Sequence, residues 1–439
     1  MVTARRSRRH FVLWFNQDSP FLAAGILRSR CFACNVSSIQ ADNLYLKRFA
    51  VFTAGATFCL VWMGGLVTSH GVGLSVPDWP NTYGYNMFFF PVSKWIGGIF
   101  YEHTHRLAAS LVGFLTTVLA LWLYGRQARP LLRWVGTIFL VAGLGLCVKF
   151  PAHLAENVLL AVIGLVGLAA SFSWPNRAPA AKWLRTLGVI AFLAVVTQGI
   201  LGGLRVTQLS DQLGIFHATL AQLFFVLVSA IALFQTEFWR SVPFQTETDQ
   251  HHFRPLFAAT TCLLLFQLIL GATMRHQHAG LAIPDFPAAY GKLWPDTSAA
   301  AVERYNQNRL EAAGENPITA FQINLQMTHR IVALLAFTSV AVCFWRARRY
   351  LGAGHELTRL SGVWLGLVLL QVFFGAATIW TGKSADIATA HVACGALCLM
   401  TGGLLSVVTF RRFAALAPAP FVEKNEMTPL LNSSGSAAK

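Results

Sequence analysis

Apolar runs near residues 48–68, 104–124, 132–149, 155–173, 187–206, 213–235, 256–274, 327–345, 360–380 and 387–410 constrain this chain more than any other feature. Each is close to the roughly 20 residues that a helix needs to cross a hydrocarbon core about 30 Å thick. A bilayer offers no water to the backbone, so runs of this length read as transmembrane helices, whose peptide groups are satisfied within the segment. The predicted fold class is an all-α polytopic membrane protein of about ten spans. A composition that is 55% hydrophobic and only 12% charged fits it. The net charge of +16 is spread in short pieces between the apolar runs, so the lipid bilayer, and no nucleic acid, is the expected partner.

The basic residues also set orientation. They precede the first run (Arg5, Arg6, Arg8, Arg9, Lys47, Arg48) and return in every second connection: Arg126, Arg129 and Arg133; Arg177, Lys182 and Arg185; Arg240 and Arg254; Arg346, Arg348 and Arg349; Arg411 and Arg412. Both termini are therefore expected on the inner, positive side. Residues 1–45, Arg-rich and without an acid before Asp18, read as a basic inner extension of a bacterial plasma-membrane protein, with a mitochondrial presequence and the mitochondrial inner membrane as the alternative. The Pro-, Ala- and Ser-rich segment 413–439 reads as a disordered tail. Six of the eight cysteines lie in predicted helices, and Cys31 and Cys34 form a CxxC in the inner extension, so no structural disulfide is expected.

The chain repeats itself. "GGLVTSHGVGLSVPDWPNTYG" (64–84) recurs as "GATMRHQHAGLAIPDFPAAYG" (271–291), and "EHTHRLAASL" (102–111) as "QMTHRIVALL" (326–335). "QGILGGLRV" (198–206) matches "QVFFGAATI" (371–379), and "GIFHATLAQLFF" (214–225) matches "ATAHVACGALCL" (388–399). His105 thus pairs with His329 and His217 with His391. The separation of the first pair of histidines exceeds that of the second by the length of two helices. The expected architecture is two four-helix-bundle repeats, 46–240 and 241–412, related by a pseudo-twofold along the membrane normal. The first carries an inserted helix pair near 131–175.

The repeat retains His105 as His329 but replaces His103 with Met327, which demotes His103. The topology places His105, His217, His329 and His391 in the first turns of helices that begin at the outer surface, all at one depth. Ionisable residues in such positions point to function, because hydrocarbon does not solvate them. Paired imidazoles facing across a four-helix bundle suit axial ligation of haem iron. Zinc would call for a nearby Cys, Asp or third His, and copper for Met or thiolate, and neither supplement repeats. Arg106 and Arg330, next to His105 and His329, are candidates for pairing with haem propionates, with Arg205 as a weaker one. The "SVPDWP" and "AIPDFP" loops are expected to fold over the outer haem edges as lids, with Asp78 and Asp285 orienting backbone groups.

On these motifs ("EHTHR", "QGILGGLRV", "GIFHATLAQ", "MTHR" and "TAHVACG") the chain resembles the haem A synthases over nearly its whole membrane region. The resemblance implies oxidation of a methyl group of haem O to the formyl group of haem A, by two successive hydroxylations and loss of water from the gem-diol. It implies that His105 and His217 frame the substrate haem O, that His329 and His391 hold haem b as electron relay, and that Glu102 is the reactive carboxylate. The repeat agrees with that division, since Gln326 replaces the glutamate in the second half, and an amide does not accept a proton. Implied partners are the farnesyltransferase that produces haem O, an electron-transfer partner and terminal oxidase assembly; a homo-oligomer is compatible. The inserted helix pair departs from the usual eight-span plan, and the first outer loop lacks the cysteine pair of some bacterial members. The main rival is a di-haem cytochrome b acting only in electron transfer, which leaves Glu102 without a purpose. A transporter built from parallel repeats would place its polar groups at the midplane instead.

Overall fold

The computed structural model describes residues 43–243, 252–309 and 317–413. The inner extension with its CxxC (but for the last few residues before the first helix) and the tail beyond 413 lie outside these residues. Twelve helices account for most of what is described. They are α1 (Leu44–Ser69), α2 (Gly97–Leu123), α3 (Ala128–Lys149), α4 (Leu154–Ser173), α5 (Lys182–Gln208), α6 (Asp211–Phe234), the short α7 (Glu237–Ser241), α8 (Phe253–His276), α9 (Ala299–Gln307), α10 (Ala320–Leu351), α11 (Glu356–Trp380) and α12 (Ala385–Arg412). Ten of them are long and apolar enough to cross a membrane, all but α7 and α9.

The helices begin where local chemistry can satisfy their first amides. Asn43 caps α1 through Leu46 N, Ser210 caps α6 through Leu213 N, and Thr319 and Gln322 form a reciprocal capping box on α10. All ten spans start before their apolar runs, most of all α2 at Gly97 and α10 at Ala320. Hydropathy marks the stretch that faces lipid, whereas the first turns of these two are covered by loops and carry Glu102, His103 and Gln326 into the protein. The hairpin β1–β2 (Asn81–Thr82 with Tyr85–Asn86) was not foreseen, nor were α7 and α9.

Packing joins α1 to α2, α2 to α5, α5 to α6 and α6 back to α1, a closed four-helix ring. The helices α8, α10, α11 and α12 close a second ring in the same order. The two meet where α12 packs on α1 and α6, and α6 on α8. The helix α12 is therefore the central one, with 67% of its apolar window buried. In the first ring Leu46, Leu119, Leu123, Leu184, Val228 and Ile231 form the core, and in the second Phe253, Phe257, Val340, Trp364 and Leu405 do. These residues come from the starts of α1, α5, α8 and α11 and the ends of α2, α6, α10 and α12. Both apolar plugs thus lie at the end of the bundle away from the loops 70–96 and 277–319, and the loop end is left for polar side chains.

The hairpin α3–α4 occupies the region expected for the inserted pair and packs chiefly on itself. Its seam is built from small residues, which let two backbones approach in the absence of a hydrophobic drive between helices. A Cβ at Gly136 would stand 2.6 Å from Leu168 N, and one at Gly143 or Gly164 would meet the backbone of Ala161 or Leu140. Gly143→Val is expected to open this seam and lower the thermal midpoint in detergent, while the polar residues at the loop end keep their contacts. Hydrogen exchange should accelerate in 128–173 and stay unchanged in α1, α2, α5 and α6.

Candidate functional site

The four histidines sit at the loop end, each against a glycine of the neighbouring helix. A Cβ at Gly64 of α1 would stand 3.1 Å from Cε1 of His105, and one at Gly202 of α5 would stand 3.0 Å from Cε1 of His217. In the second ring, Gly271 of α8 and Gly375 of α11 back His329 and His391 at 3.2 and 3.1 Å. Each glycine therefore makes the room in which an imidazole lies. His105 and His217 fall within electrostatic range of each other, as do His329 and His391, so the structure brings together the pairs read from the sequence.

Glutamines hold three of the four rings. His217 Nδ1 lies 3.2 Å from Gln198 O, while the Gln198 amide donates to His217 O at 2.7 Å. His391 Nδ1 lies 3.1 Å from Gln371 O, with the Gln371 amide 3.4 Å from His391 Nε2. Gln267 Nε2 donates to His329 O at 3.0 Å and lies 3.2 Å from Nδ1 and 3.1 Å from Nε2 of the same ring. At His217 and His391 a hydrogen bond from Nδ1–H to the glutamine carbonyl would fix the tautomer that leaves the Nε2 lone pair for a metal. His105 lacks such a partner: its Nδ1 is buried and unpaired, and Leu60 stands one turn before Gly64, where the other seats carry glutamine. Sequence reasoning missed these glutamines, although Q-x-x-x-G at 198–202, 267–271 and 371–375 was there to be read.

The loop residues form matched latches. Asp78 accepts from Tyr83 N and Gly84 N, both at 2.8 Å, and Asp285 accepts from Tyr290 N at 2.7 Å and Gly291 N at 2.9 Å. Both tyrosines have positive φ (49° and 52°), so the carboxylate holds a backbone turn that a non-glycine residue resists. Their hydroxyls close the turn on Ser75 O and Ala282 O. Burial pushes the Tyr290 phenol up to about 12, which keeps it a donor. The orienting role expected of Asp78 and Asp285 is thus what the side chains do.

Glu102 and Gln326 also sit alike. Glu102, 4% exposed, accepts from Val76 N at 2.9 Å through Oε2 and pairs with Arg106 at 2.7 Å through Oε1. Gln326, 2% exposed, accepts from Ile283 N at 2.7 Å and returns its amide to Ile283 O and Gly280 O. Arg106 gives its remaining terminal donors to Asp78 O, Asn81 O and Val76 O, and Arg330 gives its own to Ala288 O and Asp285 O. The terminal donors of both guanidinium groups hold the loops, while Arg330 Nε is buried without a partner. His103, fully buried, lies 3.2 Å from Thr82 Oγ1 between the rings of Phe90 and Trp95, a loop anchor whose counterpart Met327 packs in the apolar cluster under the second loop. Arg205 is placed differently, with its guanidinium against Gly73 of the first loop and no carboxylate in ion-pair range among the described residues.

The sequence model of the cytochrome oxidase assembly protein family matches residues 154–402. The chain belongs to that family. Among its relatives, a protein of Rhizorhabdus wittichii named Heme A synthase is 25% identical over 81% of this chain and 91% of its own length. One of the same name from Shouchella clausii is 23% identical over 76% and 87%. A third, from Roseobacter denitrificans, is 28% identical over 45% of this chain and about half (48%) of its own. The residues of this family member fit haem. The paired imidazoles on glycine seats would be the residues to hold a haem iron, and among the described residues no group of three or more His, Cys, Asp or Glu converges as zinc would ask.

Removing a loop carboxylate tests the latches. Asp285→Ala leaves the amides of Tyr290 and Gly291 without acceptors, at a cost of about 1–3 kcal/mol for each that stays dry. Deuterium uptake across 284–292 should rise well above that of α8 and α10, and Asp78→Ala should act likewise on 77–85.

Proposed function

We propose that the chain is a haem A synthase, an oxidoreductase that converts a methyl group of haem O to the formyl group of haem A. The observation that carries the reading is a difference between two otherwise matched sites. Glu102 faces Gln326 across the repeat, and Leu60 faces Gln267, so the first site holds the ionisable latch and the one unsupported histidine. A substrate that must enter and leave suits the less firmly held pair, His105 and His217. A resident cofactor suits His329 and His391, both backed by glutamine. Haem b bound there supplies one-electron transfer.

The chain's own residues then have distinct tasks. His105 and His217 hold the substrate iron, the loop latched by Asp78 and Arg106 keeps water from the reacting edge, and Glu102 receives a proton as the methyl or alcohol carbon is oxidised. The matched latches support reading 46–240 and 241–412 as duplicated halves about an axis along the membrane normal, with α3–α4 inserted in the first. The basic residues support placing both termini on the inner side, in a bacterial plasma membrane. The farnesyltransferase that makes haem O, an electron donor or acceptor and terminal oxidase assembly are the partners this activity needs.

Two substitutions test the assignment. Glu102→Gln imports the second site's residue, which can still accept from Val76 N. It should leave haem binding intact in both halves while lowering haem A formation by roughly 10²–10⁴-fold, the usual contribution of acid–base catalysis. Haem O or its hydroxymethyl form should accumulate on the protein. Wild-type turnover would reduce Glu102 to a loop latch. His329→Ala or His391→Ala should abolish the haem b spectrum, whereas His105→Ala or His217→Ala should chiefly impair turnover. Wild-type spectra and activity in all four would overturn the ligand assignment.

A further inference from the structure

The second half contains a guanidinium that nothing above has used. Arg275 lies on α8, one turn beyond Gly271, the residue that backs His329. Residues four apart share a helix face, so Arg275 stands directly loopward of the imidazole seat. Arg205 has the same relation to its own seat, three residues beyond Gly202, which backs His217. The other two seats carry no such cation, since Gly64 is followed one turn on by Val67 and Thr68, and Gly375 by Thr378 and Ile379. Each half thus has a single arginine one turn above a histidine seat.

Arg275 is short of partners for a cation in this setting. One terminal nitrogen donates to Gly65 O at 3.0 Å and to Ser69 Oγ at 2.5 Å, both on α1, while Nε is buried with no acceptor. Among the described residues no carboxylate comes within ion-pair range; Asp211, on α6, lies against His276 instead, at 3.8 Å. Arg275 also lies within electrostatic range of both Arg205 and His391, and while Arg205 feels the carboxylates of Glu102 and Asp211, no carboxylate pairs directly with Arg275 among the described residues. A buried charge left unpaired is strongly unfavourable, and a carboxylate is the group that a guanidinium accepts best.

Building on the haem reading above, we propose that Arg275 binds a propionate of the haem held by His329 and His391, as Arg205 does for the haem held by His105 and His217. Arg330 engages both of its terminal nitrogens with carbonyls of the second loop, whereas Arg275 engages only one of its own and so has the freer guanidinium edge. The contacts to Gly65 and Ser69 make the second-half site depend on α1 of the first. Ser69 in turn accepts from Thr389 of α12 at 2.9 Å, one turn or less from His391. The propionate of the cofactor haem is therefore gripped at the contact between the halves.

The test uses the purified full-length protein, reading haem transfer to apomyoglobin and reconstitution with haem or with haem dimethyl ester, whose propionates carry no charge. Loss of a charge-assisted hydrogen bond, worth about 1.5–3 kcal/mol, corresponds to roughly 10- to 100-fold. Arg275→Gln should release the second-half haem faster by that factor, and Arg275→Lys should recover part of it. The wild type should retain haem over its dimethyl ester by a similar factor, and Arg275→Gln should lose that preference. Equal retention of haem and ester by the wild type would overturn the proposal without requiring any variant to fold. An Arg275→Gln protein with wild-type transfer and wild-type preference would overturn it too. If His391→Ala also kept its haem, the failure would lie in the ligand assignment and not in Arg275.

Discussion

Hydrocarbon supplies no partner to a polar side chain, and the loop end of this protein is organised by that one constraint. Every polar residue carried into the two rings must find its hydrogen bonds inside the chain or in a ligand. Glu102 and Gln326 find them in a loop amide, and Arg106 and Arg330 in loop carbonyls. Three histidines find them in glutamines one helix away. The far end packs mainly apolar side chains, and its buried threonines and serines such as Thr53, Thr116 and Ser361 donate to carbonyls of their own helices. The result is a polarity gradient along the bundle, with the sites where the loops can cover them.

Against that background the unsatisfied groups are informative. His105 Nδ1 and Arg275 Nε are among the buried side-chain atoms at the loop end without a partner, as are His103 Nε2 and Arg330 Nε. In the proposed reading His105 lies in the substrate site, where a ring held less tightly would permit exchange, and Arg275 is the cation proposed to meet a propionate.

The two sites also share one loop turn. The turn built on Asp78, Tyr83 and Gly84 is reproduced bond for bond by Asp285, Tyr290 and Gly291. On that common turn the two sites differ at two positions: the ionisable Glu102 stands where Gln326 does, and Leu60 where Gln267 does. The central helix α12, packed on both rings, brings His391 to the seam, where a cation of the second half reaches a backbone carbonyl of the first.

The ten spans were legible in the sequence, as were the aligned motifs that set His105 beside His329 and His217 beside His391 and the carboxylates of Asp78 and Asp285 before their turns. Each follows from a rule that acts along the chain: apolar length, a repeated motif, or a carboxylate a few residues before a tight turn. Tertiary structure alone decided where the arginines point. Arg106 and Arg330 are adjacent to ligands in sequence, which suggested propionates, but the loops return over them and take their terminal donors. Arg275 has no such neighbour in the chain and gains its place only when α8 is laid against α1 and beside α10. The glutamines were written as Q-x-x-x-G, yet their meaning depends on which helix faces which. A hydrogen bond across two helices is a property of packing, and periodicity along one of them does not contain it.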